Sequence, residues 1–125
     1  MAHALLSSVG LVEWLASEAL LDAVTAVSGS GPAYVFLLAE CLAKAGADAG
    51  LPPDLAGRLA RATVTGAAAL LAESDLPPDS LRRNVTSPGG TTAAALDALM
   101  GADGLEPLMR AAVAAAKRRG EELSG

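Results

Sequence analysis

The chain has 125 residues and a formal net charge of −5, enough for one domain with a modest core and without the basic surplus that phosphate backbones attract, which argues against a nucleic-acid partner. It is 52% hydrophobic but only 2% aromatic, so alanine dominates the apolar set; such a core gains little burial per residue and favours closely packed helices completed by a second copy. A single cysteine, Cys41, excludes an intrachain disulfide and reads as a small core residue in a reduced, cytoplasmic setting. His3 and the distant Cys41 make no metal site. Glu40 and Lys44 interrupt the best apolar run before it reaches the ~20 residues that span a bilayer, so no membrane segment is expected. The N-terminus lacks the basic-then-apolar order of a signal peptide.

Residues 1–21 read poorly as an independent element, and residues 1–18 are expected to be the remnant of a preceding domain's end and its connector. Ala4–Gly10 has the form of a helix tail closed by glycine, and Leu11–Leu15 fits either a short strand or a helix start. The chain reads as if it begins inside a longer protein. From residue 19 to 125 a single helical domain is expected. Ser28-Gly29-Ser30-Gly31-Pro32 is read as a turn that feeds a long helix from about Pro32 to Ala49, with proline in the first turn, where its missing N–H costs nothing. The first half of that helix, Ala33 to Ala39, is apolar on every face, which predicts a neighbour from another subunit. The Ser-Gly-Ser-Gly run lacks the GxGxxG spacing of a dinucleotide fingerprint.

Gly50-Leu51-Pro52-Pro53-Asp54 predicts the end of that helix and the start of the next. In the following helix, Leu55, Leu59, Ala62, Thr63, Ala67, Leu70 and Leu71 keep helical spacing and predict the buried stripe, with Arg58 and Arg61 outside. Gly57 and Gly66 each cost about 1 kcal/mol inside a helix, so close helix contact is expected at both. Pro77-Pro78-Asp79 predicts a short helix to about Arg83. Gly101-Ala102-Asp103-Gly104 separates the helix after Thr92 from a last helix over about Leu105–Leu123, whose apolar stripe is Leu105, Leu108, Met109, Ala112, Val113 and Ala116. The architecture is all-α, a bundle of five to six helices joined by short turns.

Catalytic patterns are sparse: no CxxC, no HExxH, no P-loop, and a pair of aspartates, Asp75 and Asp79, that reads as caps or solvated groups. The stretch that stands out is Arg83-Asn84-Val85-Thr86-Ser87-Pro88-Gly89-Gly90-Thr91-Thr92. Pro88 and two glycines force a turn, Ser87 is read as an N-cap, and helix spacing follows. Backbone N–H groups and the hydroxyls of Ser87, Thr91 and Thr92 therefore converge at one helix N-terminus, a ready seat for a carboxylate.

Two blocks carry a family resemblance. Asp22-Ala23-Val24-Thr25-Ala26-Val27-Ser28-Gly29-Ser30-Gly31-Pro32-Ala33-Tyr34 resembles the start of the C-terminal domain of pyrroline-5-carboxylate reductases, and Asn84-Val85-Thr86-Ser87-Pro88-Gly89-Gly90-Thr91-Thr92 resembles that family's signature, in the same order and at the same separation. The resemblance implies reduction of 1-pyrroline-5-carboxylate to L-proline, with NADPH or NADH held mainly by an N-terminal Rossmann domain that this sequence lacks, so that the chain alone is expected to be inactive. It implies a helical domain of the 6-phosphogluconate dehydrogenase C-terminal type, interlocked as a homodimer that can assemble further. It also implies substrate binding by Ser87, Gly89, Gly90, Thr91 and Thr92, with the Ser87 hydroxyl and the N–H groups of Gly90, Thr91 and Thr92 on the carboxylate. Thr92 is implied to be catalytic, beside the ring nitrogen, and Asn84 and Val85 to face the cofactor. Two alternatives are a non-catalytic homodimerisation module and a related hydroxyacid dehydrogenase domain. The latter resembles this chain over Glu40–Gly46 but needs an asparagine three residues after its lysine, where this chain has Ala47 after Lys44; Lys44 is read as a solvated helix charge.

Overall fold

The computed structural model describes residues 20–124, and every regular element among them is helical. Helix α1 (Leu21–Val24) runs into a π-helical turn (Thr25–Gly29), and α2 follows at Gly31–Asp48. Then come α3 (Pro53–Glu73), α4 (Pro78–Asn84), α5 (Thr91–Leu99) and α6 (Leu105–Ser124). The all-α expectation therefore holds, and the expected unit over residues 1–18 lies outside the described residues.

Prolines and glycines set the boundaries. Pro32, Pro53 and Pro78 each lie in the first turn of a helix, where their missing N–H removes no bond. Helix α2 ends in a Schellman motif: the Leu51 N–H donates to Gly46 and the Gly50 N–H to Ala47, with Gly50 at φ +113°. One boundary differs from the sequence reading. Ser28–Pro32 is not a turn of the usual kind, because Val24, Thr25 and Ser30 all keep right-handed helical angles and the chain widens into one π turn that continues into α2. Pro32 cannot donate a helix bond, and the Tyr34 hydroxyl instead donates to the Ala26 carbonyl at 2.7 Å, pinning the widened turn from eight residues away.

Leu21–Asp48 is thereby one 28-residue stretch, long and apolar enough to cross a membrane by length and composition only, a test that core helices also pass.

Helices α2 and α3 form an antiparallel hairpin, in close contact at Gly46, where an added Cβ would lie 3.4 Å from the Ala56 Cβ. The buried line on α3 is Ala56 and Ala60, each 3% exposed. The predicted stripe is therefore misplaced within the chain, since Leu59, Leu70 and Leu71 are exposed. Cys41 is also exposed rather than in a core. Gly57 and Gly66 make no close contact in the chain, for a Cβ at either would meet no atom within 4 Å. Helix α6 returns to pack on α1 and the π turn, with Gly120 against the Asp22 carboxylate. On α6 the expected stripe faces outward in part, with Leu105, Leu108 and Met109 exposed. Helices α4 and α5 make only marginal contact with the rest.

The outcome is a chain without a self-sufficient core. Ala26, Ala56 and Ala60 are its buried hydrophobic residues among those described. Phe36 is 71% exposed, and Leu37, Leu38 and Leu70 are exposed beside it or on the facing helix. A patch of that kind marks an association surface.

Candidate functional site

The turn between α4 and α5 is built by local bonds alone. Helix α4 ends on Asn84, with Val85 as its C-cap. The Val85 and Thr86 N–H groups donate to Arg82 and Arg83, and the Thr86 hydroxyl donates to the Arg82 carbonyl at 2.7 Å. Ser87-Pro88-Gly89-Gly90 then closes a four-residue turn, with the Gly90 N–H donating to the Ser87 carbonyl at 3.0 Å. Proline at the second position and Gly89 at φ +71° in the third meet the requirements of a type II turn.

Helix α5 starts at Thr91 with Gly90 as N-cap, and no side chain caps it. Ser87 is therefore not the N-cap; the turn holds it three residues further back. The contact is nonetheless close, because a Cβ on Gly90 would lie 3.4 Å from the Ser87 Cβ. A second revision follows from the same turn: the Gly90 N–H already has an intrachain acceptor, so it does not join the group offered to a ligand. The first helix bond comes from Ala94 to the Gly90 carbonyl, which leaves the N–H groups of Thr91, Thr92 and Ala93 without a helix partner. Ala93 is a donor that the sequence reading missed; the helix start, one residue after Gly90, would have pointed to it.

The hydroxyls of Ser87, Thr91 and Thr92 make no side-chain hydrogen bond among the described residues. Ser87 and Thr91 are exposed and Thr92 is half-buried. Three hydroxyls and three N–H groups thus belong to one turn and the first turn of one helix, without an acceptor among the described residues, at a helix end that carries positive partial charge. Gly89 supplies only the backbone angle. Asn84 is exposed at the end of α4, and Val85, 67% exposed, presents an apolar surface beside it. Upstream, Arg83 pairs with Asp79 at 3.0 Å, and this guanidinium holds the Asp79 carboxyl below its ordinary value.

Lys44 is 74% exposed and bridges Glu40 one turn away at 3.2 Å, as a solvated helix charge does. Two grooves lie elsewhere. One of about 460 Å³ runs between α2 and α3, and one of about 700 Å³ is bounded by Arg82, Leu99, Met100 and α6. Neither is lined by Ser87 or Thr92.

The fold is all-helical, with exposed apolar faces on α2 and α3 and, at the α4–α5 turn, a helix N-terminus whose first N–H groups are free of helix partners. Comparison with known proteins gives this fold its family. The family model described as pyrroline-5-carboxylate reductase dimerisation matches residues 18–123, and the chain belongs to this family. A pyrroline-5-carboxylate reductase of Pseudomonas aeruginosa is 50% identical over 123 residues, covering 98% of this chain and 45% of the relative. One from Glycine max is 48% identical over 117 residues, covering 94% and 42%. Among solved structures, a pyrroline-5-carboxylate reductase from Coxiella burnetii superposes with a TM-score of 0.90 at 42% identity, covering 98% of this chain and 45% of that one. The Plasmodium falciparum pyrroline carboxylate reductase, solved with NADP bound, superposes with a TM-score of 0.86 at 33% identity, covering 99% and 47%. The chain thus spans less than half the length of these relatives.

Proposed function

We propose that this chain is the dimerisation and substrate-binding part of a pyrroline-5-carboxylate reductase, which reduces 1-pyrroline-5-carboxylate to L-proline with NADPH or NADH. The observation that carries the reading is the α5 N-terminus, where the Ser87, Thr91 and Thr92 hydroxyls and the N–H groups of Thr91, Thr92 and Ala93 have no acceptor among the described residues. The substrate is a ring imine bearing a carboxylate, and this turn suits the carboxylate. With that end fixed, the C=N bond is aimed, and orientation is the larger part of what a protein adds to hydride transfer.

The nicotinamide, when bound, supplies the hydride that forms the new C–H bond. The ring nitrogen enters protonated and keeps its proton as the iminium becomes an amine, so no strong protein acid is required. Thr92, in the first turn of α5, is the residue assigned to the ring nitrogen and is the catalytic candidate. Among the described residues no strand-and-glycine turn of the dinucleotide-binding type occurs, and Asn84 and Val85, both exposed at the end of α4, are the residues assigned to an edge contact with the cofactor. The 125 residues by themselves are therefore expected neither to hold the dinucleotide tightly nor to reduce the imine.

The protein is a homodimer in this reading, able to associate further, and works in the cytoplasm. The apolar stretch Leu21–Asp48 meets a second copy rather than lipid, since Ala-rich faces with an ion pair suit helix packing. The test is oxidation of NADPH by the full-length enzyme in the presence of 1-pyrroline-5-carboxylate, with and without Thr92→Ala. Substrate-dependent turnover that falls in the variant is expected. No turnover with that imine, or turnover indifferent to Thr92, would refute the assignment.

A further inference from the structure

The segment from Asn84 to Thr92 carries four hydroxyls, and they are not used alike. Those of Ser87, Thr91 and Thr92 have no acceptor among the described residues, whereas that of Thr86 makes the segment's one side-chain hydrogen bond among them. It donates backwards, to the Arg82 carbonyl at 2.7 Å. Thr86 is also half-buried, between the exposed Val85 and Ser87.

The place of that bond gives it a task. Helix α4 ends at Asn84 with Val85 as its C-cap, so Thr86 is the first residue beyond the helix. In a continuing helix its N–H would donate to the Arg82 carbonyl. Here the N–H turns to Arg83 at 3.1 Å and the hydroxyl takes Arg82 in its stead. Both donors of one residue therefore tie it to the last turn of α4. The next bond along the chain, from the Gly90 N–H to Ser87, lies wholly within the turn that leads into α5. Helices α4 and α5 share no more than marginal packing. Among the described residues, then, the Thr86 bonds are what set α5 and its turn relative to the end of α4. Thr65 makes a similar bond, to Arg61 at 3.0 Å, but inside an unbroken helix whose backbone already fixes the geometry.

The two sides of Thr86 carry different halves of the proposed site. Asn84 and Val85 are assigned to the cofactor edge, and Ser87 to Thr92 to the substrate. We propose that Thr86 is a positioning residue for hydride transfer: its hydroxyl holds the end of α4 and the start of α5 at the mutual angle that lines up nicotinamide and ring imine. The inference rests on the substrate and cofactor reading of this segment and deepens it by naming what couples its halves. Removing the hydroxyl leaves the Gly90–Ser87 bond and the free donors in place, so binding of the imine should hold. Alignment, on which the rate depends steeply, should be lost.

Steady-state kinetics of the full-length enzyme carrying Thr86→Val, which deletes the hydroxyl at nearly constant shape, tests it. The kcat should fall roughly tenfold, with KM for 1-pyrroline-5-carboxylate and for NADPH within about threefold of wild type. Thr86→Ser, which keeps the hydroxyl, should restore kcat to within about threefold. With NADPH deuterated at the transferred hydrogen, the isotope effect on kcat should be at least as large in Thr86→Val as in wild type, because the hydride step is the one that slows. If Thr86→Val does not fold, Thr86→Ala takes its place in the same comparison. Unchanged kcat with a lowered melting temperature would overturn the positioning role and leave the bond a helix end. A raised KM for the imine with kcat held would overturn it too, by showing that the hydroxyl shapes the seat itself. In both cases a response to Ser87→Ala and Thr92→Ala leaves the site reading standing. A wild type that does not reduce the imine, or that is indifferent to both of those variants, would overturn the site reading and the role of Thr86 together.

Discussion

The α2–α3 hairpin and the α4–α5 turn are held by opposite means. The hairpin rests on packing, and its own chain supplies only part of it: Ala56 and Ala60 are buried, while Phe36, Leu37 and Leu70 stay exposed. The turn rests on local hydrogen bonds, from Thr86 to Arg82 and from Gly90 to Ser87, and makes little contact with other helices. A scaffold can thus draw its stability from a second copy while its candidate site draws its shape from ten consecutive residues. Assembly and site shape should then respond to different substitutions.

The largest effect should fall on the hairpin. Phe36→Asp places a charge where an apolar partner surface is expected, and it should weaken the dimer by about a hundredfold or more, roughly 3 kcal/mol. Sedimentation equilibrium across a dilution series reads this directly. A dimer of unchanged affinity would mean that α2 does not form the interface.

Next come the turn hydroxyls in the full-length enzyme. If the proposed substrate site is right, Thr92→Ala and Ser87→Ala each remove a donor to a charged carboxylate or its ring, worth about 1.5–3 kcal/mol, or ten- to a hundredfold in kcat/KM. Ser87→Ala should raise KM with kcat held, whereas Thr92→Ala should lower kcat too. Melting temperatures should hold in both, because neither hydroxyl caps α5. Steady-state kinetics beside thermal melts separate this outcome from a purely structural one. Unchanged kinetics with a lowered melting temperature would reduce the turn to a helix cap.

Both the hairpin and the turn depend on chain path, which Gly104→Ala should disturb without touching either. Gly104 is buried between α5 and α6, and a Cβ there would overlap the Leu99 carbonyl. Backbone must move, so a loss of about 2 kcal/mol is expected, seen as a melting temperature lower by several degrees. Equal stability of the variant would show that this connection is looser than described.

The smallest effect belongs to Asp79 and Arg83, which precede the turn. Arg83 lowers the Asp79 pKa in the folded chain, so the pair stabilises α4 above the ordinary carboxylate range and the benefit disappears as pH falls through the lowered value. Both groups are exposed, so the effect should be slight and screened by salt. Comparing wild type with Asp79→Asn by circular dichroism should show a small wild-type advantage near neutral pH and none once Asp79 is protonated. An advantage that persisted in strong acid would point to a cause other than charge.

The same division explains what the sequence made legible. Features set by neighbouring residues were readable: Pro32, Pro53 and Pro78 at helix starts, the helix end at Gly50, and the Ser87–Thr92 turn. Features set by what packs against what were not. The leucine stripe on α3 and the cysteine on α2 read as core because apolar spacing does not say whose core it is. The Ser28–Pro32 segment read as a turn because glycine and proline usually break helices, whereas here the π turn and the Tyr34 hydroxyl absorb the break. At the site, the family resemblance put Gly90 among the donors. Only the type II turn reveals that its N–H is engaged and that Ala93 takes its place.

The central claim is that this chain completes its core only as a pair of copies. Thermal melting at several protein concentrations, beside sedimentation equilibrium of the same samples, tests it most directly. The account predicts a mass of about twice the 12.4 kDa chain and a melting temperature that rises with concentration, because folding and association are one equilibrium. A cooperative melt at one fixed temperature, from a species of single-chain mass, would contradict it.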